Sequence, residues 1–217
     1  MTGARVAGPA DRAEIADLRT RVFVQEQGVP PEIERDALDA AAVHVLARDD
    51  AGRVVATGRL VVRDGRAVIG RMAVDAAARG RGHGAAVLDE LHGQAVLRGL
   101  PEAELHAQVS ARGFYERAGY AAVGGVYEEA GIAHVTMRRR LPVLRPAAAA
   151  ETAGLLGSAV PADRWWVLVD GTPLAAVAAL RGALTGLGVA AGGEEWGRRL
   201  ACAVVDGVLP ATPPRPA

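Results

Sequence analysis

The 217-residue sequence contains no lysine. All 25 of its basic Lys/Arg residues are arginines. A Walker A loop needs a lysine to bind a phosphate, and Schiff-base catalysis needs one as the nucleophile. The absence of lysine therefore excludes both kinds of site.

Cysteine is almost as scarce, since Cys202 is the single example. One thiol cannot form an internal disulfide or build a thiolate metal site. Cys202 falls on the apolar side of a helix-like segment, which predicts an inert buried thiol.

Long hydrophobic runs and an excess of one charge are also missing. No uninterrupted apolar run approaches the roughly 20 residues that cross a bilayer, and the first residues carry charges too early for a secretory signal. Lys+Arg and Asp+Glu both total 25, so the net charge is zero and no overall field attracts nucleic acid or an anionic membrane. We expect a cytoplasmic protein with neither among its partners.

Half of the residues are hydrophobic, which is enough to bury a substantial core. The patterns predict the element order β-α-α-β-β-β-α-β-α-β-β. Asp11 is the expected cap of the first helix, Pro31 opens a short second helix, and "DDAGR" and "RDGR" predict hairpins between three strands.

The composition changes after Met137. "LPVLRPAAAAETAG" is typical of a linker, "RWWVLVDGTPLAAV" predicts a hairpin, and two later segments, "LAAVAALRGALTGL" and "EEWGRRLACAVVDGVL", predict helices. We expect a domain over residues 1–143, followed over 144–217 by a linker and a small α-rich extension of unknown role.

Three glycines in "RMAVDAAARGRGHGAAVL" lie between a strand-like run and a helix-like run. Glycines at this place let backbone N–H groups close on a phosphate at a helix N-terminus. Gly80-x-Gly82-x-x-Ala85 also fits a dinucleotide fingerprint, with Glu104 as its ribose-binding acid. However, "DAAAR" separates the strand from the first glycine, and the preceding strands are joined by hairpins, so this alternative is disfavoured. A turn without any ligand is the remaining alternative.

The spacing Arg79-x-x-Gly82-x-Gly84 resembles the acyl-CoA-binding motif of the GNAT N-acetyltransferase superfamily. "LRTRVFVQEQGVP", "HAQVSARGFYERAGY" and "GGVYEEAGIAHVTM" are similar to its ElaA-like branch, although Tyr120 replaces the usual phenylalanine. The resemblance covers about residues 3–140. It implies an α/β GNAT fold with a mixed, mostly antiparallel sheet and a splayed parallel strand pair.

This resemblance implies an N-acetyltransferase that moves the acetyl group of acetyl-CoA to an amine by direct attack in a ternary complex, without a metal. The loop's N–H groups and the helix dipole would hold the CoA pyrophosphate, while the strand before them binds the pantetheine arm. The implied CoA-binding residues are Met72, Ala73, Val74, Arg79, Gly80, Arg81, Gly82, His83, Gly84, Ala85 and Gln108.

Tyr115 follows Gln108 and Ala111 at the spacing with which this superfamily places a tyrosine hydroxyl beside the CoA sulfur. The resemblance therefore implies that Tyr115 protonates the leaving thiolate, whereas the alternative is an aromatic residue that only packs in the core. The Val74 N–H is the expected donor to the thioester oxygen.

An acceptor amine must lose a proton before it attacks, and several residues could take it. The candidates for the base are Glu26, Glu128, Glu129, His44, His106 and His134. We take His134 and Glu128 as the catalytic candidates, although His134 could also be a hydrogen-bonded structural residue, and Glu128 and Glu129 could be solvated turn residues. The candidate acceptor-binding residues are Glu26, Gln27, His44 and His106.

The acceptor itself stays open between a small-molecule amine and a protein amine, and a homodimer also stays open. A rival hypothesis is a non-catalytic acyl-CoA-sensing module whose C-terminal extension binds a partner. A protein that has lost CoA affinity is a third.

Overall fold

A computed structural model describes residues 3–141, 144–147, 166–169 and 172–174. Its main feature is a seven-stranded sheet in the order β1-β2-β3-β4-β5-β7-β6. The strands are β1 Ala4–Val6, β2 Val43–Arg48, β3 Val54–Arg63, β4 Arg66–Val74, β5 Glu102–Gln108, β6 Ala121–Glu129 and β7 Ile132–Arg140. The helices are α1 Arg12–Arg19, α2 Pro31–Glu34, α3 His83–Leu97 and α4 Arg112–Arg117. The predicted element order is confirmed.

The sheet is antiparallel except at one place, where β4 and β5 run parallel. These two strands pair only from Ala67 to Ile69 on β4 and from Ala103 to Leu105 on β5. Beyond Ile69, β4 continues to Val74 without a partner on the β5 side. The predicted mixed sheet with a splayed parallel pair is therefore confirmed, and the hairpin-linked strands β2–β4 rule out the dinucleotide-binding alternative.

Each face of the sheet has its own apolar cluster. Leu88 and Leu91 of α3 pack on one face, in a cluster that also contains Tyr115 and Tyr120. Helix α1 packs on the opposite face, where Ile15 and its neighbours contact the other side of β2 and β4. A cleft at the splay can therefore be reached from both faces of the sheet.

A β-bulge in β4 changes which face its residues occupy. The register slips between Thr57 and Arg59 of β3, and Arg71 adopts φ 53°, an uncommon value for a residue other than glycine. Regular alternation from Ile69 would send the Arg71 side chain into the α3 face. The bulge instead places Arg71 on the α1 face, while Met72 packs toward α3.

The first helix differs from its prediction in two ways. It ends as an α-helix at Arg19 and continues as a π-helical segment, Thr20–Glu26. Asp11 is the N-cap residue as predicted, but its carboxylate makes no capping bond to the helix and instead accepts from Gly8 N–H, Arg5 and Arg48. Two arginine partners hold the carboxylate more strongly than a single backbone N–H would.

Three further strands, β8 Leu144–Ala147, β9 Trp166–Val169 and β10 Thr172–Leu174, form a second antiparallel sheet. The pairing of Thr172 with Val169 confirms the predicted hairpin. The linker prediction is wrong for residues 144–147, which pair with β9 instead. The two predicted helices and Cys202 lie outside the described residues. Within the part of the chain that is described, no helix is long and apolar enough to cross a membrane.

Candidate active site

A cleft of about 860 Å³ opens where β4 and β5 separate. Its walls come from the π-helical segment, α2, β3, β4, β5, α4 and β7. The predicted site residues that line it are Glu26, Gln27, Met72, Val74, Arg79, Gly84, His106, Gln108, Tyr115 and His134. The cleft therefore brings together residues that lie far apart in the sequence.

The glycine-rich loop lies at one end of the cleft and leads into α3. Gly82 is the N-cap with φ 85°, a left-handed conformation that favours glycine. A Cβ on Gly84 would lie 3.2 Å from Val74 Cγ2, so this turn packs tightly against β4. The first N–H groups of a helix have no intrahelical acceptor, and this close-packed glycine turn fits a pyrophosphate bound by backbone donors.

The other predicted loop residues occupy different environments. The His83 side chain is buried, whereas Arg81 and Ala85 are exposed. The Ala73 side chain packs in the α1-side cluster, away from the cleft. Only backbone groups of Ala73 can therefore face a bound molecule.

Arg79 connects the loop to the opposite wall of the cleft. Its guanidinium donates to Glu26 Oε2 at 2.6 Å and to the Val74 carbonyl at 3.2 Å. The hydrogen bond from Arg79 lowers the pKa of Glu26 below its ordinary value. A carboxylate held in its charged form by an arginine is a poor proton acceptor for an amine.

Tyr115 reaches the cleft from α4, on the α3 side of the sheet. Its side chain is buried, and burial raises the pKa of its hydroxyl to about 12. The hydroxyl therefore keeps its proton at neutral pH, as a general acid must. Phe114 packs edge-on against Tyr115 and also lines the cleft.

Three polar side chains reach the cleft from the other face of the sheet. His106 and Gln108 of β5 alternate with core residues, and Gln108 pairs in register with His134 of β7. Gln108 also donates to Gln27 Oε1 at 2.8 Å, which ties β5 to the π-helical segment.

The hydrogen bond made by His134 defines its tautomer. Nδ1 lies 2.8 Å from the carbonyl oxygen of Ile132. A carbonyl can only accept, so Nδ1 carries the proton and the neutral ring has its lone pair on Nε2. His134 can therefore accept a proton at Nε2.

The hairpin between β6 and β7 contributes Glu129 to the cleft. Glu129 Oε2 lies 3.5 Å from His106 Nδ1. Its neighbour Glu128 is exposed and does not line the cleft, because successive residues of a strand point to opposite faces. Of the two turn carboxylates that were candidates for the base, Glu129 lines the cleft and Glu128 does not.

His44 also lies away from the cleft lining. It is buried, and its Nε2 is 3.0 Å from the Asp39 carbonyl oxygen. Burial lowers the pKa of His44 below its ordinary value. This location does not support the expectation that His44 binds an acceptor.

Sequence reasoning missed a network of arginines and carboxylates beside the cleft. Asp36 accepts from Arg59 at 2.7 Å and from Arg71 at 3.0 Å, and Glu34 accepts from Arg19. A signal was present in the sequence, because alternation along "AVIGRMAV" places Arg71 on a core face next to a glycine. A charge at such a position indicates a bulge.

Over the described ranges, no three His, Cys, Asp or Glu side chains are arranged to hold a metal ion.

Comparison with known proteins identifies similar chains. A family model described as Acetyltransferase (GNAT) domain matches residues 11–141. The uncharacterized N-acetyltransferase YjcF of Bacillus subtilis strain 168 is 32% identical over 123 residues, which are 56% of this chain and 87% of YjcF. Protein ElaA of Escherichia coli K12 is 32% identical over 134 residues, which are 58% of this chain and 86% of ElaA.

Solved structures agree with these matches. An acyl-CoA N-acyltransferase from Pseudomonas aeruginosa has a TM-score of 0.57 at 34% identity, covering 64% of this chain and 99% of its own. The crystal structure of Escherichia coli ElaA has a TM-score of 0.57 at 27% identity, with the same coverage of both chains.

Proposed function

Because the chain belongs to the GNAT acetyltransferase family, we propose that it transfers the acetyl group of acetyl-CoA to a primary amine by direct attack in a ternary complex. The observation that carries this proposal is the cleft at the β4–β5 splay, which Tyr115 enters from one face of the sheet and His134 from the other. The reaction needs an acid near the leaving sulfur and a base near the attacking nitrogen. Tyr115 and His134, which reach the cleft from different faces of the sheet, could serve these two places.

The glycine loop and β4 are proposed to hold the co-substrate. The N–H groups at the start of α3 would bind the pyrophosphate, and the unpaired edge of β4 from Met72 to Val74 would bind the pantetheine arm. Acetyl-CoA, when bound, supplies a thioester carbonyl carbon and a thiolate leaving group.

The side chains are proposed to move two protons. His134 Nε2 accepts the proton of the acceptor ammonium, and the Val74 N–H donates to the thioester oxygen as its charge grows. Tyr115 then gives its hydroxyl proton to the sulfur as the carbon–sulfur bond breaks. The attacking nitrogen loses its second proton to the Tyr115 oxygen, which restores the hydroxyl, and His134 releases its proton to water, so that the products are the amide and the free CoA thiol.

The proposal includes a cytoplasmic location and leaves a homodimer open. Its domain boundary is the one expected from the sequence, with residues 1–143 forming the catalytic unit and 144–217 an extension. The end of the family match at residue 141 supports that boundary.

A thiol-release assay tests the function. The protein is mixed with acetyl-CoA and a panel of primary amines, and free CoA thiol is measured over time. Release that depends on an amine is the expected result. Binding of acetyl-CoA without any amine-dependent release would favour the sensing module instead.

The proposed base has its own test with the best amine of that panel. His134→Gln should lower kcat by about 100-fold, the lower end for general base catalysis, and should leave the Kd for acetyl-CoA within about twofold, because the glycine loop is unchanged. Glu128→Gln is the control, because Glu128 is exposed outside the cleft. A His134→Gln enzyme with the kcat of the wild type would contradict the assignment.

A further inference from the structure

The cleft has an apolar wall, defined by Val22, Phe23, Val29, Ile33, Leu38 and Val61. Ile33 and Leu38 are 46% and 39% exposed although both line the cleft. Exposed apolar side chains that converge on a concave surface mark a site for an apolar ligand.

The carboxylates of the cleft are already paired. Four line it, and each has a cationic or imidazole neighbour within the described residues: Glu26 with Arg79, Glu34 with Arg19, Asp36 with Arg59 and Glu129 with His106. The hydrogen bond from Arg59 lowers the pKa of Asp36. Three of the four cleft carboxylates are therefore already paired with a guanidinium, and Glu129 is the one cleft carboxylate in the described residues whose neighbour is an imidazole.

Arginine side chains also hold residues 33–39, the segment that contributes Ile33 and Leu38 to the apolar wall. Arg71 donates to the carbonyl oxygens of Ile33 and Glu34 at 2.9 and 3.0 Å, and Arg19 donates to Asp39 at 3.0 Å. These bonds tie residues 33–39 to β4 and α1. The wall is therefore held in place before a ligand arrives, which lowers the entropic cost of binding.

Arg63 lies at the end of β3 and lines the same cleft. Its side chain is exposed, and within the described part of the chain it has no hydrogen-bond or ion-pair partner. A guanidinium at this place repels a molecule that carries several ammonium groups.

We propose that the acceptor is a small molecule with one primary amine on an apolar carbon skeleton; this inference rests on the proposed function. The apolar wall would bury the skeleton, and the removal of its apolar surface from water favours binding. A polyamine would meet paired carboxylates and Arg63. An amino sugar would lose water at its hydroxyl groups without gaining enough polar partners.

Binding and turnover of three probes test this inference on the full-length protein. 2-Phenylethylamine, spermidine and glucosamine are titrated by calorimetry into protein saturated with CoA, which has no acetyl group to transfer. Each amine is then assayed for thiol release from acetyl-CoA. We expect 2-phenylethylamine to bind at least about tenfold more tightly than the other two and to have the highest kcat/KM.

A pair of matched variants tests the wall. Leu38→Asp places a free carboxylate on it and should weaken 2-phenylethylamine binding by about tenfold while strengthening spermidine binding. Val62→Asp is the control, because Val62 is 55% exposed and does not line the cleft. Its probe affinities should match those of the wild type.

The outcomes separate the inference from the function. Equal or tighter binding of spermidine or glucosamine, or no binding of any probe, would overturn the inference. Identical behaviour of the two variants would also overturn it. Binding of 2-phenylethylamine to the CoA complex without thiol release from acetyl-CoA would support the inference and contradict the proposed function.

Discussion

Two tyrosines in one apolar cluster have different environments. The rings of Tyr115 and Tyr120 lie 5.9 Å apart, and both are buried. The Tyr120 hydroxyl bonds to Nε2 of the buried His92 at 2.7 Å, whereas Tyr115 lines the cleft. We infer that one hydroxyl stabilises the fold and that the other is available for chemistry.

Tyr115→Phe removes one oxygen and keeps the ring that packs. We expect kcat to fall by about 100-fold while the Kd for acetyl-CoA stays within about twofold, because the backbone contacts to the phosphates remain. Stability should fall by no more than about 1 kcal/mol. Steady-state kinetics with the best amine, calorimetry and urea denaturation measure the three effects.

Tyr120→Phe is the matched control and should give the reverse pattern. Loss of its hydroxyl leaves the buried His92 without this partner, so stability should fall by about 1–3 kcal/mol with kcat unchanged. A Tyr115→Phe enzyme with the kcat of the wild type would reject the acid assignment but not the fold.

At the scale of elements, the glycine turn before α3 decides whether the helix N-terminus can bind a phosphate. Gly82→Val should raise the Kd for acetyl-CoA at least about tenfold, because a β-branched residue is strained at φ 85° and would turn the N–H groups away. Calorimetry on the folded variant measures this change.

Gly65→Val provides the control for Gly82→Val. Gly65 has φ 73° in the β3–β4 turn, and no atom lies within 4 Å of its ideal Cβ. This variant carries a similar backbone strain away from the loop, so it should lose stability and keep its affinity. Equal affinities of the two variants would contradict the phosphate-binding role of the turn.

Helix α3 also carries a carboxyl group whose ionisation opposes folding. Burial raises the pKa of Asp89 from its ordinary value near 4 to about 6. Because the folded-state pKa is the higher one, Asp89 contributes stability below about pH 4, and this contribution is lost as the pH rises through about 6.

Asp89→Asn should therefore stabilise the protein at pH 8, by on the order of 1 kcal/mol after allowance for partial solvation, and should have little effect near pH 4. Urea denaturation at the two pH values measures the difference. The exposed Asp17 of α1 is the control, and Asp17→Asn should change the unfolding free energy by no more than about 0.5 kcal/mol at either pH. A destabilised Asp89→Asn at pH 8 would contradict the sign.

At the scale of the whole molecule, Leu141 closes the seven-stranded domain. Its side chain is fully buried, and its N–H donates to the Pro101 carbonyl at 2.8 Å. Truncation after Val143 should therefore leave the Kd for acetyl-CoA within about twofold of the full-length value. Calorimetry with acetyl-CoA measures this affinity.

Truncation after Arg140 is the matched comparison. It removes the buried Leu141 side chain, which should cost about 2–5 kcal/mol of stability. Loss of CoA binding in a folded 1–143 protein would show that the extension belongs to the site and that the boundary is misplaced.

The sequence by itself determined the features that depend on local chemistry. The turn sequences "DDAGR" and "RDGR" predicted the hairpins of β2–β4, helical periodicity predicted α3, and the spacing of Arg79, Gly82 and Gly84 led to the loop. Each of these rests on the conformations that a few neighbouring residues prefer, so a short stretch of sequence contains the information.

Only the tertiary structure decided which polar residues share the cleft. His44 and His134 have equally ambiguous local patterns, yet one is buried beside Asp39 and the other lines the cleft. The bulge at Arg71 reverses the alternation of β4, and distant arginines pair with the cleft carboxylates of Glu34 and Asp36. These outcomes depend on contacts between residues far apart in the chain, and no local preference encodes such contacts.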